Sequence, residues 1–146
     1  MMKKAMLILL SIVCAVALVG CGGNTAAEVK IDYGTSSIYS EADMDAAIEL
    51  IKEAFTTWDA WDGCELHGIS YAGDDKCSAA NIKWMNELEK ANDAEQTFTQ
   101  CIMFESSFHS PKTNSGTWNA DQEYTGWQWW LARADGGRWK IMTFGY

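Results

Sequence analysis

Between residues 40 and 92 the apolar positions twice follow a helical period, and after residue 97 they follow a period of two. Met44, Ile48, Ile51, Phe55 and Trp58 fall three or four residues apart, which puts them on one stripe of a helix, while Asp45, Glu49, Lys52 and Glu53 take the other faces. Ser40, with an acid three residues on at Asp43, is a capping-box start. The pattern therefore predicts a helix from about Glu41 to Trp58, ended before Gly63. From Cys64 to Ala72 the phase of Leu66, Ile69 and Tyr71 slips at Gly68, as in a strand that carries a bulge. Ser78 can cap a second helix with Ile82, Met85 and Leu88 as its stripe and Trp84 beside it.

The last third alternates. Phe98, Ile102, Phe104 and Phe108 are expected on one face of a strand, with Cys101, Met103 and Glu105 on the other. A polar loop runs from His109 to Glu123. Tyr124 to Ala132 is a second strand with Thr125, Trp127, Trp129 and Leu131 on one side. Asp135-Gly136-Gly137 marks a hairpin, and Trp139 to Tyr146 a third strand. Helices followed by an antiparallel meander predict an α+β domain with the helices on one face of the sheet.

The N-terminus follows other rules. Lys3 and Lys4 precede an apolar run from Ala5 to Val19 that holds one hydroxyl, Ser11. Fifteen residues suit the core of a signal peptide and fall short of the ~20 that span a bilayer. The run closes on Leu18-Val19-Gly20-Cys21, which resembles the bacterial lipobox. That resemblance implies cleavage before Cys21 and lipidation of its thiol. It divides the chain into a lipoprotein signal peptide (1–20), lipidated Cys21 with a flexible linker (21–39) and one domain (40–146). The implied address is the outer face of the cytoplasmic membrane, and an outer-membrane address fits the same motif. Two acyl chains, at about 0.8 kcal/mol per buried CH₂, would hold the protein to the membrane where one binds reversibly.

The order helix, strand, helix, three strands, with the closing segments Trp127-Gln128-Trp129-Trp130-Leu131 and Gly136-Gly137-Arg138-Trp139-Lys140-Ile141, resembles the NTF2-like (cystatin-like) domains. It also looks like a group of uncharacterised lipoproteins of Firmicutes that end in a Trp-rich strand and a terminal Gly-Tyr. The likeness covers about Ser40 to Tyr146. It implies N-terminal helices packed on a curved antiparallel sheet in a cone, here with less helix before the first strand than such domains carry.

Charge narrows the partners. The whole chain has a net charge of −9, and loss of Lys3 and Lys4 leaves nine basic against twenty acidic residues, or −11. Such a surface argues against nucleic acid and against lying flat on anionic lipid. After processing, Cys64, Cys77 and Cys101 remain, with no CxxC pair. An oxidising compartment can join two of the three. All three pairings are open; if the Cys64 strand lies beside the C-terminal strand, Cys64 and Cys101 stand about 14 Å apart and Cys64–Cys77 is favoured.

Eight tryptophans fall in the domain. Trp58, Trp127 and Trp129 share faces with other apolar residues and are expected in the core. Trp130 points opposite Trp129, Trp118 lies in a polar loop and Trp61 follows the helix stripe, so these three are the candidate ligand-contacting indoles. His67 and His109 have no partner at metal-ligand spacing, Asp74-Asp75 and Asp121-Gln122-Glu123 match no EF-hand loop, and neither metal nor cofactor is expected. Glu105, set mid-strand among apolar neighbours, is a candidate buried carboxylate of raised pKa, as a general base requires. Without an acid–base constellation the sequence favours a non-catalytic binding or interaction module of the envelope, tethered by lipid and holding a protein, a glycan or a small apolar molecule. The alternatives are a small NTF2-like isomerase or dehydratase, and a structural accessory domain. Convergence of Glu105, His67 and Tyr71 on one cavity would mark the enzyme.

Overall fold

The computed structural model describes residues 28–114 and 116–146. The expected signal peptide and Cys21 lie outside the described residues. Helix α1 spans Glu41–Thr57, and its start is the predicted capping box: the Ser40 hydroxyl accepts from Asp43 N–H while the Asp43 carboxylate accepts from Ser40 N–H. Helix α2 spans Ala79–Ala91 and is capped by Ser78. Five strands, β1 (Lys30–Asp32), β2 (Glu65–Tyr71), β3 (Gln100–His109), β4 (Glu123–Arg133) and β5 (Lys140–Gly145), form one open sheet in the order β1-β2-β3-β4-β5. The architecture is α+β.

Two features differ from the sequence expectation. Residues 30–32, assigned to the linker, form the edge strand β1, which pairs parallel with β2. The sheet is therefore mixed. Parallel pairing requires a crossover, and α1 supplies it. A three-residue strand with one apolar side chain, Ile31, leaves no periodic trace in the sequence. The second difference is that the helices pack on opposite faces. The α1 stripe, with Ile48, Ile51 and Phe55, joins Ile69, Ile102, Phe104, Phe108, Trp129 and Leu131. On the other side α2 places Met85 against Cys101, Met103, Trp130 and Ala132. Phe98 belongs with this second cluster, because it precedes β3 and escapes the strand's alternation.

The sheet is bent by three register shifts. One falls between Leu66 and Gly68 on β2, as the phase slip predicted; one falls opposite Ser106–Phe108; one lies between Trp130 and Leu131 against β5. At the second, the extra residue is on β4, where Gly126 takes a φ of 70° that suits a residue without Cβ.

Candidate functional site

The three tryptophans expected at a ligand are buried. Trp61 is 1% exposed, Trp118 9% and Trp130 9%. Each has been covered by an element remote in sequence. The one-turn 3-10 segment Asp59–Trp61 folds Trp61 under the end of α1, where its ring meets Phe55 (4.4 Å between centroids), Phe108 (5.0 Å) and Trp129 (5.3 Å). The β3–β4 loop turns Trp118 back onto this cluster, and its indole N–H donates to the Ala60 carbonyl at 2.6 Å. Trp130 faces away from Trp129, as its position in β4 requires, but α2 lies on that side and Trp84 packs edge-on to it at 5.1 Å.

Trp58 moves the other way. Helix α1 ends at Thr57, and Trp58 adopts an extended conformation (φ −91°, ψ 128°), which rotates it off the helical stripe. It is 39% exposed, and near it Phe144 is 42% and Tyr146 76% exposed. Trp58 and Phe144 stand 5.5 Å apart, and Tyr146 packs on Trp127 at 4.9 Å. These rings make an exposed aromatic strip at the C-terminal end of β5, on the α1 side of the sheet. Beside it a groove of about 330 Å³ runs between α1 and β5, lined by Glu53, Ala54, Thr57, Trp58, Trp139 and Lys140. No helical spacing in the sequence points to this strip, since Phe144 and Tyr146 read as ordinary strand residues and Trp58 reads as core.

A second depression, of about 430 Å³, lies on the half of the sheet that α2 leaves open, lined by Lys30, Asp32, His67, Ser70, Glu105 and Thr125 among others. Glu105 is exposed here, on the solvent face of β3, so the burial that a general base of raised pKa needs is missing. Tyr71 lies on the opposite face, in the α1 core, and its hydroxyl donates to Asp74 at 2.7 Å. The trio that would mark an enzyme is thus split between the two sides of the sheet. His67 and His109 share Glu123: their Nδ1 atoms lie 3.0 and 3.1 Å from its two oxygens, and Asp121 takes His109 Nε2 at 2.8 Å. The carboxylates of Asp121 and Glu123 raise the His109 pKa. Among the described residues no group of three or more His, Cys, Asp or Glu is arranged to hold a metal ion, and no helix is long and apolar enough to cross a membrane.

The expected Cys64–Cys77 bridge does not form; Cys64, Cys77 and Cys101 are free thiols. Cys64 precedes β2 and Cys77 follows it, so the seven residues of β2, about 3.3 Å each, separate them. Cys64 is equally remote from Cys101, because β2 pairs antiparallel with β3 and brings Glu65 to His109. The expectation failed because β2 runs its full length between Cys64 and Cys77, whichever strand it pairs with.

Asp74 closes the turn after β2. Its carboxylate accepts from the hydroxyls of Ser36 (2.6 Å), Tyr71 (2.7 Å) and Ser37 (3.0 Å) and from Ser37 N–H (2.8 Å). These bonds hold its pKa well below the usual carboxylate range, the Ser36 hydroxyl contributing most. In the sequence Asp74 is only half of an acidic pair in a turn. No protein-family model, curated protein or solved structure matches the chain.

Proposed function

We propose that the chain is a lipid-tethered extracytoplasmic binding module that holds a glycan of the cell envelope against the aromatic strip of Trp58, Phe144 and Tyr146. The observation that carries this reading is the strip itself: Trp58 and Phe144 stay exposed in contact, with exposed Tyr146 on Trp127 two residues beyond Phe144, on a domain that buries most of its other aromatics. Sugar rings present apolar C–H faces that stack on indole and phenyl groups, and their hydroxyls need nearby polar partners. Glu53 and Thr57 of the adjoining groove can take that part, since Lys140 is held by Glu89.

The anchor is inferred from the lipobox-like end at Cys21. Since β1 begins at Lys30, eight residues lie between Cys21 and the sheet. Nine Cα steps reach at most about 30 Å, so the anchored domain would work close to the bilayer. The register shifts of the sheet support an NTF2-like cone, whereas placement of α2 on the face opposite α1 counts against it. The binding reading stands without that family.

Isothermal titration of the purified protein with soluble cell-wall oligosaccharides tests the proposal. Trp58→Ala and Phe144→Ala are each expected to weaken binding about tenfold, ~1.4 kcal/mol. Trp84→Ala, on the far face, should leave it unchanged. Absence of binding by the unsubstituted protein, or equal affinity in all three variants, would sink the reading.

A further inference from the structure

Two of the three cysteines lie close at the end of the sheet, Cys77 against the α1 core and Cys101 in the α2 cluster, and they are not the pair that sequence spacing favours. Cys77 ends the one-turn 3-10 segment Asp74–Cys77, and Cys101 is the second residue of β3. The Cys101 thiol donates to the Lys76 carbonyl at 3.5 Å, the carbonyl of the peptide bond that leads into Cys77. A carbonyl oxygen lies about 2.8 Å from the next Cα, which brings the Cys101 sulfur within roughly 6 Å of the Cys77 Cα. Two tyrosines close the space around them. The Tyr71 hydroxyl is 3.3 Å from Cys77 Sγ, and the Tyr39 hydroxyl donates to the Cys101 carbonyl at 2.9 Å.

We infer that Cys77 and Cys101 are the residues this domain joins when it meets a disulfide oxidant, with Cys64 left as the odd thiol. The two sites differ in access, and that difference orders the reaction. Cys77 is half-buried and reachable, whereas Cys101 is buried. Burial raises both thiols and pushes Cys101 up to about 12, so the buried Cys101 is the poorer opening nucleophile. Cys77 therefore begins: its thiol loses a proton to solvent and the thiolate attacks one sulfur of a small disulfide such as oxidised glutathione. The S–S bond of the oxidant breaks, and one glutathione leaves with the electron pair and takes up a proton. Cys101 then deprotonates and attacks the Cys77 sulfur of the mixed disulfide, releasing the second glutathione. Two protein thiols are oxidised and one glutathione disulfide is reduced to two thiols.

The short segment that carries Cys77 can make the adjustment. It is a single turn, held by Lys76 N–H to the Gly73 carbonyl at 3.2 Å, by the Asp74 carboxylate at its start and by the Asn81 amide on the Lys76 carbonyl at 2.9 Å, so the adjustment falls to its Cys77 end, where the Cα atoms must come within the ~7 Å a disulfide needs. The bridge would add a covalent tie between the β2–α2 connection and β3, which Ala72 N–H to the Met103 carbonyl (3.0 Å) and the Cys101 thiol to the Lys76 carbonyl already join. This inference is independent of what the aromatic strip binds.

Trypsin separates the three cysteines, since cleavage follows Lys52, Lys76, Lys83, Lys90 and Lys112. The folded, unsubstituted protein is equilibrated with oxidised glutathione, alkylated, digested without reductant and mapped by mass spectrometry. The expected product joins the Cys77 peptide to the Cys101 peptide, with Cys64 alkylated. Its melting temperature should exceed that of the reduced protein by about 5–10 °C. Cys64→Ser should keep both the bridge and the shift, and Cys77→Ser should lose both. A bridge that includes Cys64, or three alkylated thiols after equilibration, overturns the inference.

Discussion

Lys140 Nζ lies 2.8 and 3.1 Å from the two carboxylate oxygens of Glu89, and Glu89 is almost wholly buried. The pair bolts α2 to the edge strand β5. Removing the lysine leaves a buried carboxylate without its cation. A fully buried pair costs ~3–5 kcal/mol to break in this way, and the half-exposed lysine here reduces that to about 2 kcal/mol. Urea unfolding of Lys140→Ala should show that loss. Lys140→Arg should recover most of it, and a Lys140→Ala midpoint equal to that of the unsubstituted protein would show that water serves Glu89 as well as the lysine does.

Trp129 and Trp130 face opposite sides of β4, and both are covered. Trp129 sits at the centre of the α1 core, where its indole N–H donates to Ser106 Oγ at 2.9 Å. Trp130 lies at the rim of the α2 cluster beside the half-exposed Trp84. Trp129→Ala is expected to cost about 4 kcal/mol and Trp130→Ala about half as much. Thermal denaturation of the two variants gives the order, and an unchanged melting temperature for Trp130→Ala would mean that α2 does not hold that face in solution.

Two titrating groups act on stability in opposite senses. Asp74 has a lowered pKa when folded, so its contribution is present above the unfolded carboxylate value, near 3.9, and is lost as pH falls through the folded value. His109 has a raised pKa, so its contribution is present below the unfolded value, near 6.5, and is lost as pH rises through the folded one. Asp74→Asn should flatten the acid limb of the melting temperature against pH. Asp121→Asn should lower the His109 midpoint followed by NMR, because Asp121 is the larger cause of the shift. A His109 midpoint unmoved by that change would place the proton bond elsewhere.

The anchor has its own test. Cys21→Ala expressed in a bacterial host should incorporate no labelled palmitate, whereas the unsubstituted chain should. Equal labelling of both would remove the tether from the proposed function while leaving the aromatic strip untouched.

Local rules were enough for much of this fold. The Ser40–Asp43 box, the Ser78 cap, the stripe of α1, the slip at Gly68 and the alternation of β3 and β4 each depend on residues within a turn or two of one another, and the chain can be read for them directly. The α+β class follows from their order. What the sequence could not settle depends on contacts between residues far apart. Three residues of β1 become a strand only because α1 carries the chain over to β2. Trp118 is buried only because its loop closes on Ala60, fifty-eight positions earlier. Trp58 is exposed because α1 stops one residue sooner than its apolar spacing suggests. Cys101 comes up against the Lys76–Cys77 peptide because β2 lies against β3, a choice of neighbour that no periodicity encodes. Periodicity reports which side of an element is apolar. Only packing decides what covers that side, and with it which rings and thiols stay within reach of a partner.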